Sequence, residues 1–107
     1  MDAKSFHILA ALAAGPSHGY AVRQQVEERT EGEVRLWPAS LYGSLAELSE
    51  RGWIRETASP LGEHDDPRRR YYAVTAAGRA ALADEARRLE ALALFAREQL
   101  GGGEVAS

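Results

Sequence analysis

Between Lys4 and Ala14 the residues Phe6, Ile8, Leu9 and Leu12 recur at helical spacing in an alanine-rich background. This pattern predicts a first helix, which Gly15 and Pro16 stop. Ser17 is the candidate cap of a second helix from about Gly19 to Arg29, with Ala21, Val22 and Val26 inward and Gly32 beyond its end. Val34 to Trp37 is too short and too β-prone for a helix, and Pro38 suits the first turn of a third helix that runs to Arg51. Gly52 closes it. Trp53 to Thr57 and Arg70 to Val74 read as two strands joined by a long polar loop containing Pro and Gly. Thr75 is placed to cap a fourth helix through an Ala- and Leu-rich stretch to about Leu100, where Gly101, Gly102 and Gly103 end it.

Three short helices, a hairpin and a long final helix predict a mainly α fold with a small β-hairpin. This is a winged helix-turn-helix over residues 1–75, followed by a dimerisation helix over 76–100 and a disordered tail over 101–107. In that plan the third helix is the reader of DNA. Leu41, Leu45 and Leu48 share the side that anchors it, while Ala39, Gly43, Ala46 and Glu47 lie away from that side. Such small outward residues let a helix axis sit deep in a major groove, with Ser40, Tyr42 and Ser44 at the flanks near its N-terminal end. The alternative is a helix that is merely poor in large side chains. Arg68, Arg69 and Arg70 stand at the return of the hairpin loop, where a wing approaches phosphates or a minor groove. Their alternative is a solvated charge run paired with Glu63, Asp65 and Asp66.

On the final helix, Leu82, Leu89, Leu92, Phe95 and Ala96, with Ala86 and Ala93 between them, form an apolar stripe too broad for one helix to bury on a small domain. A second copy is its natural cover, and a twofold protein reads a pseudo-palindromic site.

Length and composition narrow the remaining classes. At 107 residues there is room for one domain, and 45% apolar with 27% charged residues is the balance of a globular chain. No apolar run is long enough for a bilayer and no signal peptide opens the chain, so a cytoplasmic protein without membrane contact is expected. Zero cysteines remove disulfides and thiolate metal sites. The formal charge of −3 opposes nucleic-acid binding, but many acids fall at Glu27, Glu28, Glu31, Glu33 and between Asp84 and Glu98, away from the expected reading surface. No catalytic constellation or cofactor motif is present at a persuasive spacing, and His7, His18 and His64 are scattered, so an enzyme is not expected.

His18, Gly19 and Tyr20 after Gly15 and Pro16, then Ser40, Leu41 and Tyr42, then Tyr71, Tyr72, Val74, Thr75 and Gly78, resemble the PadR family of bacterial transcriptional regulators. The resemblance covers roughly Phe6 to Leu82 and rests on the ordered combination. It implies a homodimeric repressor that binds double-stranded operator DNA, with the third helix in the major groove, the hairpin as wing and the first and last helices at the dimer contact. It makes Tyr42 a DNA contact, with Ser40 beside it and Tyr20 near the backbone; packing of either ring in the core is the competing role. Tyr72 is assigned to packing, and His18 to a cap or hydrogen bond within the turn. Ala39 and Gly43 stand where the family usually has Gly and Pro, and Gly43 loosens that turn. A small aromatic effector between subunits is a further implication, with Phe95 and Trp37 or Trp53 as candidate surface, although core packing is the leading role for all three. Two rival readings stand beside this one. The first is a divalent metal sensor using Glu63, His64, Asp65 and Asp66; the second is a winged-helix interaction module without DNA binding.

Overall fold

The computed structural model describes residues 1–106, with side chains as far as Gly101. It has α1 (Ala3–Ala13), β1 (Ser17–His18), α2 (Gly19–Arg29), α3 (Pro38–Glu50), β2 (Ile54–Thr57), a single 3₁₀ turn (Gly62–His64), β3 (Tyr71–Val74) and α4 (Ala76–Ala106). The winged helix-turn-helix with a long final helix is therefore present, within a residue or two of the expected boundaries through Val74.

The wing has one strand more than the expected hairpin. β3 is central, antiparallel to β2 through Ile54 with Val74 and Thr57 with Tyr71, and antiparallel to β1 through Ser17 with Tyr72. Ser17 is thus a buried strand residue and not the cap of α2. His18 takes that role: its Nδ1 accepts the Ala21 N–H at 3.2 Å. A two-residue strand shows no alternation in sequence, so only its partner reveals it.

Ile8, Leu9 and Leu12 of α1, Val22 and Val26 of α2, and Leu41, Leu45 and Leu48 of α3 meet in one core, joined by Leu36, Ile54 and Tyr72. α1 is capped by the Asp2 carboxylate, which accepts the Ser5 N–H at 2.7 Å. α3 ends in a Schellman motif. Gly52 adopts φ +75°, the Trp53 N–H donates to Leu48 O at 3.0 Å, and the Gly52 N–H donates to Ser49 O at 3.0 Å.

Thr75 stitches that exit to the start of α4. Its hydroxyl donates to Gly52 O at 2.6 Å and accepts the Gly78 N–H at 3.0 Å, while its own N–H donates to Trp53 O at 2.9 Å. Gly78 makes this approach possible, since a Cβ there would lie 2.1 Å from Trp53 O.

α4 continues past its expected end at Leu100 to Ala106. Glycine costs about 1 kcal/mol relative to alanine at each helical position, but it does not forbid helical dihedrals. The expected tail falls largely on residues 102–107, where Ser107 and the side chains of 102–106 lie outside the described residues. Leu82 packs against the domain's own core, whereas Leu89, Leu92, Phe95 and Ala96 are exposed on the helix beyond it. The molecule is 62 Å long and its radius of gyration is 16.8 Å, against about 13 Å for a compact chain of this length. Among the described residues no helix is long and apolar enough to cross a membrane.

Candidate nucleic-acid interface

α3 is fastened by Leu41, Leu45 and Leu48 and turns Ala39, Gly43, Ala46 and Glu47 outward, all four exposed. Its two flanks differ. On one, Ser40 and Ser44 are half-buried, and the Ser40 hydroxyl accepts from Lys4 Nζ of α1 at 2.6 Å. On the other stands Tyr42, 58% exposed, beside Tyr20 at the start of α2, 60% exposed. Neither ring packs in the core. Gly19 packs closely beneath them: a Cβ there would sit 3.3 Å from Leu41 Cδ2 and 3.6 Å from the Tyr42 ring.

Tyr20, Tyr42, Arg68, Arg69 and Arg70 share one hollow of about 380 Å³, completed by His18, Gly19 and Tyr72. Residues separated by some fifty positions in sequence therefore face one space. The pairing of β1 with β3 makes this possible, since it holds the first turn of α2 against the base of the wing. Ala39, Ser40, Gly43 and Ser44 lie outside the hollow, on the outer and opposite faces of α3.

Each wing arginine has an acidic partner. Arg68 forms a fork onto Asp66, with Nε to Oδ1 at 3.2 Å and Nη2 to Oδ2 at 3.1 Å. Arg69 reaches Asp65 at 3.2 Å and Arg70 reaches Glu56 at 3.2 Å. The pairing with Asp65 and Asp66 is the one foreseen as the alternative to a free basic patch; Glu56, across on β2, was not foreseen. The Arg68 and Arg70 pairs face solvent and contribute only about 0–1 kcal/mol each, so an incoming phosphate can replace the carboxylate.

Asp65 differs from its neighbours because its carboxylate is only 4% exposed. Hydrogen bonds from the Tyr71 and Ser59 hydroxyls hold its pKa down at about 2, with Arg69 adding to the effect. It braces the wing loop rather than repelling a ligand. Asp66 is likewise lowered by its bonds from Arg68. With both carboxylates engaged, Glu63, His64, Asp65 and Asp66 do not gather into the donor set that the rival metal-sensor reading requires. Among the described residues no three His, Cys, Asp or Glu side chains gather to hold a metal ion.

His18 stacks on Tyr20 at 6.4 Å and meets Tyr71 edge-on at 5.3 Å. Desolvation and then the Arg69 charge lower its pKa, against an opposing pull from Asp65. The ring is thereby kept in the neutral form that its Nδ1 needs to cap α2.

The expectation of core packing for Trp37, Trp53 and Phe95 holds only for Trp53, which lies against the core with Arg51 over its ring at 5.0 Å. Trp37 and Phe95 are 59% and 61% exposed. Hydrophobicity alone favoured burial, but Trp37 precedes the outward-facing start of α3 and Phe95 lies beyond the domain on α4. A second hollow, of about 280 Å³, lies between α1 and α4 and is lined in part by Phe6, His7, Glu85, Arg88 and Leu89.

Residues 8–84 match the Transcriptional regulator PadR-like family. The chain is 44% identical over 79 residues to a 37.1 kDa protein in transposon TN4556 of Streptomyces fradiae, covering 74% of this chain and 21% of that protein. It therefore spans about a fifth of that relative. It is 38% identical over 96 residues to the Transcriptional regulator Rv3488 of Mycobacterium tuberculosis, covering 90% of this chain and 81% of the relative. The fold matches that of Bacillus subtilis PadR, solved in complex with operator DNA, with a TM-score of 0.66 and 20% identity over 78% of this chain and 46% of the other. The chain belongs to the PadR-like family of transcriptional regulators, which are not enzymes.

Proposed function

We propose that the protein is a repressor that binds a pseudo-palindromic operator as a homodimer. Residues 1–75 contact DNA and the helix from residue 76 to 100 joins the subunits. One observation carries the reading: the hollow that unites Tyr20, Tyr42, Arg68, Arg69 and Arg70 beside the small outward face of α3. Arginine and tyrosine donors converging there suit a phosphate, while Ala39 and Gly43 leave room for α3 to sit deep in a groove, with Ser40 and Ser44 on its flank. The fold shared with a protein solved on operator DNA supports the same placement.

The exposed run Leu89, Leu92, Phe95 and Ala96 is the proposed dimer face. Leu82 contributes from the domain side, and the hollow between α1 and α4 adjoins the face through Leu89. A small aromatic effector bound there would change the spacing of the two α3 helices and weaken operator binding.

The test is a titration against DNA from upstream of the protein's own gene and a scrambled duplex of equal length, at two salt concentrations. The reading requires preferential binding by two protomers that weakens as salt rises. Tyr42→Ala should lower operator affinity, and Arg69→Ala should flatten the salt dependence by about one phosphate. Absence of any preference at low salt would favour a protein-interaction module.

A further inference from the structure

The hollow does not end at Tyr20 and Tyr42. Both tyrosines also wall a neighbouring, smaller depression of about 170 Å³, with Arg23, Pro38 and Leu41. Beyond it the Arg23 guanidinium lies over the Trp37 ring, 5.8 Å from its centroid. Trp37 is far more exposed than a tryptophan with a purely structural role requires, and it gives α3 no side-chain cap. We propose that Trp37 and Arg23 extend the DNA contact and bind the sugar-phosphate backbone next to the segment held by the wing arginines.

The chemistry alternates along this track as a nucleic-acid strand does. Arginines line the first hollow, Pro38 and Leu41 give the second an apolar floor, and a cation over an indole follows. Phosphates suit the cations, and the apolar faces of deoxyribose suit the rings. The first-turn N–H groups of α3, unfilled by any side-chain cap, add a partial positive charge at the same end. Arg23 is paired to Glu27 at 3.4 Å, with side chains 31% and 33% exposed. A phosphate can displace so loosely held a partner. The inference rests on the proposed DNA binding and adds two residues that the family resemblance did not supply.

The test uses the full chain carrying Trp53→Phe, which leaves Trp37 as the only indole of the two in the sequence. A duplex of roughly 30 bp, about three helical turns, is titrated in at low salt. Binding is scored separately by the anisotropy of a labelled copy. The duplex should protect Trp37 from acrylamide quenching, and added salt should reverse the protection. In the Trp37→Phe chain, where Trp53 reports, quenching should not change. Arg23→Gln should weaken operator and scrambled duplex alike, on the order of tenfold, and lower the salt slope by about one. If the duplex binds and Tyr42→Ala weakens it while Trp37 quenching stays unmoved, the inference falls and the proposed function stands. If no duplex binds, both fall.

Discussion

His18 shows how one side chain couples the helix cap to the wing. Its Nδ1 accepts from the Ala21 N–H, which a protonated imidazole cannot do, and burial beside Arg69 already disfavours protonation in the folded chain. A histidine whose pKa is lowered on folding contributes stability that is full above its ordinary value of 6.5. That contribution is lost as pH falls through the lower folded value. Melting temperature should therefore decline as pH drops below about 6.5, and His18→Ala should remove that decline while costing about 1 kcal/mol at neutral pH. Asp65 acts in a separate window. Its carboxyl, held at about 2 against an ordinary 3.8, braces the wing until acid protonates it, so a second loss belongs between those values. The Glu85 carboxyl is likewise held at about 2, so thermal melts at stepped pH on Asp65→Asn beside the parent isolate the Asp65 share, and a profile for His18→Ala that parallels the parent would refute the cap's role.

At the scale of elements, two helical glycines have opposite tolerance, and only Gly78 stands at the junction of β2 and α4. Gly78 leaves no room, since an added Cβ would strike Trp53 O at 2.1 Å and Val74 Cγ2 at 2.8 Å. Alanine's helix preference is worth about 1 kcal/mol, but the obstacle is backbone and cannot rotate away. Gly78→Ala should therefore be a net loss of about 1–2 kcal/mol, seen as a melting temperature lower by roughly 5–15 °C. Gly43 on α3 has nothing within 4 Å of where its Cβ would lie. Gly43→Ala should raise stability by up to about 1 kcal/mol, read by urea denaturation. Equal effects of the two substitutions would mean that helix propensity, and not the close approach at Trp53, governs the junction.

For the whole molecule, the decisive feature is the part of α4 that leaves the domain. Leu89, Leu92, Leu94, Phe95 and Leu100 are between 37% and 66% exposed. Fully burying each would contribute about 1.5–3 kcal/mol, so a single chain leaves a large driving force unused. Light scattering should give twice the monomer mass of 11.6 kDa, and Leu92→Glu with Phe95→Glu should return it to monomer with the helical signal largely kept. A monomeric parent at micromolar concentration would overturn the proposed interface. Since a dimer holds two α3 helices at fixed separation, the paired variant should also weaken operator binding more than scrambled-duplex binding.

The helical spacing of Leu41, Leu45 and Leu48, the Pro38 start and Gly52 stop of α3, and Thr75 at the head of α4 are local signals. They settled the order of elements and the core side of α3, because periodicity and capping act within a few residues. The ordered motifs around Tyr20, Tyr42 and Thr75 likewise carried the family. Other features depended on distant partners. β1 exists only because β3 lies beside it, and that pairing moved the cap from Ser17 to His18. Trp37 stayed exposed although its composition favoured burial, and Gly101 did not stop α4. Arg68, Arg69 and Arg70 were visible as charges, but whether they stood free or paired, and that they face Tyr20 and Tyr42 across one hollow, was decided by tertiary structure. Distance between residues remote in sequence is a property of the folded chain, and electrostatic partnership follows distance.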